Sequence, residues 1–153
     1  MKYFSGKEKK ELIQQLDPKY EFNKKDIIIQ LNNILFKNKK HFLIKSQHLK
    51  YKIEDEYIPH LKSDEVKLLK KITIDVGAVP FLVKGADMMR PGIVKIDTSI
   101  KKNEIISIVD EIKGLIIGVG IAMHNYEEMQ NMNSGKMILT LHYFKDDFYT
   151  IDL

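Results

Sequence analysis

The sequence predicts an α+β protein in two parts, residues 1–70 forming a small mixed domain and residues 71–153 a barrel of mostly antiparallel short strands. Three observations carry this reading. Strand-like runs of three to nine residues recur along the chain, separated by turn residues at close spacing, which favours a small barrel over a parallel sheet. The clearest helical signal is at residues 6–16, where Leu12, Ile13 and Leu16 fall within reach of one face. Charge also changes sign midway. Residues 1–71 hold 17 lysines against 10 acids, a net of +7, whereas residues 72–153 hold 7 lysines and 1 arginine against 11 acids, a net of −3.

The elements follow in order. Asp17-Pro18 ends the first helix, because the residue before proline avoids the helical region. Strands are expected at Asp26–Leu31, Ile34–Phe36 and Phe42–Lys45, with turns at Asn32-Asn33 and Lys37–Lys40, the pattern of a meander. Glu54-Asp55-Glu56 reads as a solvated acidic break. Ser63 is placed to cap a short bridging helix over Asp64–Lys70. In the second part, strands are expected at Ile72–Asp75, Ile93–Ile96, Glu104–Val109, Leu115–Met123 and Met137–Leu141. One helical turn is expected within Val76–Val83 and another at Tyr126–Met129. The closing run His142-Tyr143-Phe144-Lys145-Asp146-Asp147-Phe148-Tyr149 brings aromatics that are expected to cover one mouth of the barrel, and the methionines read as core filler.

Composition narrows the function classes. A hydrophobic content of 44% with 30% charged residues describes a soluble globular chain. No run approaches the roughly 18 apolar residues that span a bilayer, and the amino terminus lacks the apolar segment of a secretion signal. With no cysteine, disulfides and thiolate metal sites are excluded, and a cytoplasmic location is expected. The five histidines are dispersed without metal-ligand spacing, and the glycines of Gly114–Gly120 carry no Gly-Lys-Ser/Thr ending of a phosphate loop. The serines lack a nucleophile elbow. Asp75 and Asp87 are conceivable as an acid/base pair, but a solvated surface and an Asp-capped turn explain them equally. A binding protein without cofactor is expected. Clusters such as Lys37-Asn38-Lys39-Lys40-His41 attract polyanions through counterion release, although a Lys-rich solvated surface has the same composition.

The most informative segment is Lys84-Gly85-Ala86-Asp87-Met88-Met89-Arg90-Pro91-Gly92. Together with Val79-Pro80-Phe81-Leu82-Val83 before it, Ile93 after it, Gly118-Val119-Gly120-Ile121-Ala122 and Ser134-Gly135-Lys136, the run from Ile72 to Tyr149 resembles a PUA domain. With the preceding α/β segment, the whole chain resembles the malignant T-cell-amplified, or translation machinery-associated, proteins and their archaeal relatives. These place a pre-PUA domain before the PUA pseudo-barrel. The resemblance implies RNA binding connected with translation, with tRNA or the small ribosomal subunit as ligand during initiation or recycling, and a separate translation-factor partner. Two other roles are compatible with the module: an RNA-binding accessory to a tRNA-modifying enzyme of the pseudouridine synthase or archaeosine transglycosylase type, and a protein-docking adaptor.

Carried over by motif position, the RNA-binding residues are Lys84, Gly85, Ala86, Asp87, Arg90 and Gly92. The physical rationale is that glycines let a sugar-phosphate backbone approach the main chain. Exposed amides at such a turn receive phosphate oxygens, and Lys84 and Arg90 flank it with positive charge. Both cations are expected to be surface side chains whose removal leaves the fold intact.

Overall fold

The structure, a computed structural model, describes residues 1–153. Its first helix, α1 (Gly6–Gln15), starts where Ser5 and Glu8 cap each other reciprocally: the Glu8 amide donates to Ser5 Oγ at 3.2 Å and the Ser5 amide to Glu8 Oε1 at 3.1 Å. The helix buries Leu12 and Leu16 only. Ile13, one residue and about 100° around the axis from Leu12, is 43% exposed, so the expected three-residue apolar face is narrower by one.

Five strands make an antiparallel meander beside α1: β1 (Lys2–Tyr3), β2 (Ile28–Leu31), β3 (Ile34–Lys37), β4 (Lys40–Lys45) and β5 (Tyr57–Pro59). Lys37 and Lys40 pair directly across the β3–β4 turn, leaving Asn38 and Lys39 as its two central residues, both with positive φ. That is the conformation whose twist matches the flanking strands in a two-residue hairpin. The bridging helix at Asp64–Leu68 is a 3₁₀ turn, and Ser63 does not cap it: its hydroxyl donates back to the His60 carbonyl at 2.6 Å.

The remaining strands form one six-stranded sheet curled into a pseudo-barrel. They are β6 (Lys71–Ile74), β7 (Met88–Met89), β8 (Ile93–Ile96), β9 (Ile105–Asp110), β10 (Ile116–Ala122) and β11 (Lys136–Tyr143), in the spatial order β7-β11-β10-β9-β6-β8. Only β6 and β9 run parallel. The two edge strands, β7 and β8, are consecutive in the chain and joined by a 3₁₀ turn at Arg90–Gly92, so this turn closes the gap that backbone pairing leaves. Three helical turns, α2 (Val79–Leu82), α3 (Tyr126–Asn131) and α4 (Asp147–Thr150), complete the part. At Gly120 the β10–β11 register shifts, and a side chain there would stand 2.7 Å from the Leu139 carbonyl, which restricts the position to glycine.

The larger of two apolar cores spans both sheets, with Phe36, Phe42 and Ile44 of the first meeting Ile105, Val119 and Leu141 of the second. The closing aromatics were expected over a barrel mouth. Instead Phe148 and Ile151 pack against this shared core, because the chain after β11 turns back toward β4 and β5.

A column of histidines seals the same junction. His41 and His60 have ring centroids 4.4 Å apart, and His60 and His142 are 5.0 Å apart. His60 Nδ1 accepts from the Lys62 amide at 3.0 Å, leaving Nε2–H to donate to the Phe148 carbonyl at 3.0 Å. His142 Nε2 accepts from the Leu61 amide at 3.1 Å, and its Nδ1–H donates to Asp146 at 2.7 Å. Each ring thus satisfies both nitrogens only when neutral. Burial, followed by the neighbouring His142, lowers the His60 pKa from 6.5 to about 3.

Because the folded value is depressed, the unfolded chain takes up a proton below pH 6.5 that the folded chain refuses until about pH 3. Stability contributed by neutral His60 is therefore complete above pH 6.5 and lost as pH falls, by at most about 1.4 kcal/mol per pH unit. Urea unfolding at pH 7, 5.5 and 4 checks this. His60→Asn is expected to lower stability at pH 7 and flatten the acid slope; a slope as steep as the parent's contradicts the assignment.

Candidate nucleic-acid interface

The segment that carries the sequence motif is a tightly held loop on the pseudo-barrel. Pro80 opens α2, where its missing amide costs no hydrogen bond. The helix stops after one turn as Gly85 takes φ +89°, its amide donating to the Leu82 carbonyl at 2.8 Å. The Tyr143 ring lies 3.1 Å from where a Gly85 side chain would begin, so conformation and space both require glycine. Beyond it, the Ala86 carbonyl accepts from Thr140 Oγ1 at 2.9 Å, which fastens the loop to β11.

Asp87 is the most heavily bonded residue of the loop. Its carboxylate accepts from the Tyr51 hydroxyl at 2.5 Å, the Thr140 amide at 3.0 Å and the Lys136 ammonium at 3.2 Å. Its side chain is only 7% exposed. Burial pushes the Asp87 pKa up, but the donors from Tyr51, Thr140 and Lys136 outweigh it and hold the carboxyl below its ordinary value.

Arg90 differs from expectation. It is half-buried, its Nε–H donating to the Met129 carbonyl at 2.8 Å and its guanidinium also reaching the Ile93 carbonyl at 3.3 Å. These bonds tie the β7–β8 turn to the end of α3, where the Met129 carbonyl also accepts from the Met132 amide at 3.3 Å. Arg90 braces the barrel and is not the free surface cation expected.

An open groove of about 530 Å³ runs along this loop. Ala86, Asp87 and Gly92 of the expected site line it, together with Phe81, Met89 and Pro91. Phe81 is 63% exposed and Met89 46%, large apolar side chains held out in solvent. Lys84 and Gly85 face a second, smaller cleft of about 240 Å³ shared with Lys50 and Tyr143. The expected residues therefore divide between two adjoining depressions, with Arg90 braced behind them. Sequence reasoning missed Phe81 and Met89, which it assigned to an apolar helical turn and to core filler. It also missed Lys50, which lies outside every quoted motif. The signal for Phe81 was its place one turn before Lys84 in the quoted run.

The Lys37–Lys40 cluster is less free than its composition suggests. Lys37 pairs with Glu65 at 3.1 Å and lies over the Phe42 ring, leaving Lys39 and Lys40 exposed.

A glycine-turned loop and an apolar groove thus lie on a small pseudo-barrel domain of short strands. Residues 70–144 match the PUA domain family. Over 103 residues the chain is 41% identical to an uncharacterized protein of Methanocaldococcus jannaschii, covering 66% of this chain and 64% of that one. It is 29% identical over 83 residues to translation machinery-associated protein 20 of Schizosaccharomyces pombe, covering 52% of this chain and 46% of the other. These matches span less than two thirds of either relative's length. A crystal structure of a hypothetical protein from Pyrococcus horikoshii shares the fold across 99% of both chains, with a TM-score of 0.74 at 26% identity. Residues 70–144 of the chain are thus a PUA domain, and the chain is similar to translation machinery-associated protein 20 of two yeasts.

Removing Arg90 is expected to cost stability, whereas removing Lys84 is not. Arg90→Ala removes the two bonds that tie this turn to the Met129 and Ile93 carbonyls, a loss of about 1.5–3 kcal/mol for bonds to a charged group. Lys84→Ala, at an exposed position, stays within about 0.5 kcal/mol of the parent. Thermal unfolding of the two variants measures this, and equal melting temperatures contradict the bracing role.

Proposed function

We propose that the protein binds an unpaired stretch of RNA during translation, with tRNA or the small ribosomal subunit as its target in initiation or recycling, and performs no chemistry on it. Residues 71–153 act as the RNA-binding unit and residues 1–70 as its companion unit, with any translation-factor partner a separate protein in the cytoplasm. The observation that carries this reading is the groove along Phe81–Gly92. Bases paired in a duplex are stacked and hidden, whereas unpaired bases lay their faces on exposed aromatic and apolar side chains. Phe81, Met89 and Pro91 offer such faces, and Lys84 beside the glycine turn offers phosphates an exposed cation, whereas the amides of Lys84, Gly85 and Ala86 donate to carbonyls of the turn itself. No helix is long and apolar enough to cross a membrane.

Phe81 is the side chain to remove first, since it is mostly exposed and its loss leaves the core intact. Phe81→Ala is expected to weaken binding of single-stranded RNA by about 1–3 kcal/mol, the range for one stacked base. Binding of blunt duplex RNA should change little. Equal affinity of parent and variant for single-stranded RNA in fluorescence anisotropy would remove the groove from the interface.

A further inference from the structure

Charge is distributed against the domain that carries the RNA motif. Residues 72–153 are net negative and residues 1–71 strongly positive, so a polyanion held at the groove must find much of its counter-charge in the amino-terminal part. The structure shows where the two parts meet next to the groove. Tyr51 donates its hydroxyl to Asp87, which fixes the segment before β5 against the Gly85 turn. Its neighbour Lys50 then lines the smaller cleft with Lys84, Gly85 and Tyr143.

Both lysines are exposed, and neither has a carboxylate within ion-pair distance. Lys50 Nζ rests over the Tyr51 ring, 5.2 Å from its centroid. Of the two acids in the cleft, Asp146 is buried and its oxygens accept from His142 and from the amides of Tyr143 and Tyr149. Asp147 is exposed at the rim, and one carboxylate faces two unpaired ammonium groups.

We propose that an RNA strand lying in the Phe81–Gly92 groove continues across the Gly85 turn into the cleft between the two parts, where Lys50 and Lys84 hold neighbouring phosphates. The amino-terminal part thereby grips the same strand as the PUA domain. This rests on the RNA-binding reading above and adds to it a second half of the binding surface. Gly85 lies between the two depressions, packed against the Tyr143 ring, and Tyr143 lines the cleft beyond it. Tyr51 is a positioning residue, acting through Lys50.

The test uses the full chain and an unstructured RNA oligonucleotide, with affinity followed by anisotropy at several salt concentrations. Lys50→Glu and Lys84→Glu are compared with Lys113→Glu, an exposed lysine on the β9–β10 turn away from both depressions. Each of the first two is expected to weaken binding about tenfold or more at low salt and to reduce the salt slope by roughly 0.7–0.9, the contribution of one phosphate. Lys113→Glu should leave the slope unchanged. Lys50→Gln should give a smaller loss in the same direction, which separates lost attraction from added repulsion. Tyr51→Phe should shrink the cost of Lys50→Glu while keeping the ring in place. If Lys84→Glu weakens binding and Lys50→Glu behaves like Lys113→Glu, the strand does not cross into the cleft, and the inference fails while RNA binding at the groove stands. If neither variant weakens binding, the cleft lies outside the interface and the inference fails; if the parent itself does not bind the oligonucleotide, both readings fall.

Discussion

The Asp87 carboxylate is the interaction on which the rest of the site depends. One group receives donors from three places: Tyr51 in the amino-terminal part, the Thr140 amide of β11 and the Lys136 ammonium at the start of that strand. A buried carboxylate is costly unless it is fully hydrogen-bonded, and here the donors more than offset the burial. The loop from Lys84 to Met89 is consequently fixed in position, as a binding surface must be if it is not to lose affinity to its own ordering. The same bond joins the two sheets beside the groove. An aspartate that the sequence placed among ligand contacts also holds the architecture of the loop together.

A similar division of labour holds elsewhere in the junction. The apolar core shared by the two sheets supplies nondirectional attraction, while the histidine column and Asp146 supply directional bonds that admit one arrangement. Arg90 does the same for the open edge of the barrel, joining its closing turn to α3. Polar side chains that resemble a ligand site in the sequence thus hold the barrel shut. The exposed side chains at the two depressions are mainly apolar groups and lysines, Phe81, Met89, Lys84 and Lys50.

Much of the fold was legible because its signals are local. The Asp17-Pro18 stop, the Lys37–Lys40 turn and the glycine at Gly85 each report a backbone requirement within a few residues. Strand order was not legible, since the parallel pairing of β6 with β9 depends on contacts between distant segments. Two-residue and three-residue strands such as β1, β7 and β5 carry too little periodicity to announce themselves. For the site, the motif located the loop, but the part of each residue depends on what lies behind it. Nothing local distinguishes an arginine facing solvent from one facing the carbonyls of Met129 and Ile93, or marks Lys50 as a neighbour of Gly85.

The central claim is that the loop of Lys84–Gly92 and its two flanking depressions form the RNA surface. Backbone amide shifts of the labelled protein, recorded by NMR as single-stranded RNA is added, map that surface directly. The account predicts that the largest changes fall on Phe81, Gly85, Ala86, Met89 and Gly92, with a second set at Lys50 and Tyr143. Changes concentrated on the Lys37–Lys40 turn or on the β9–β10 turn, with the loop silent, would contradict it.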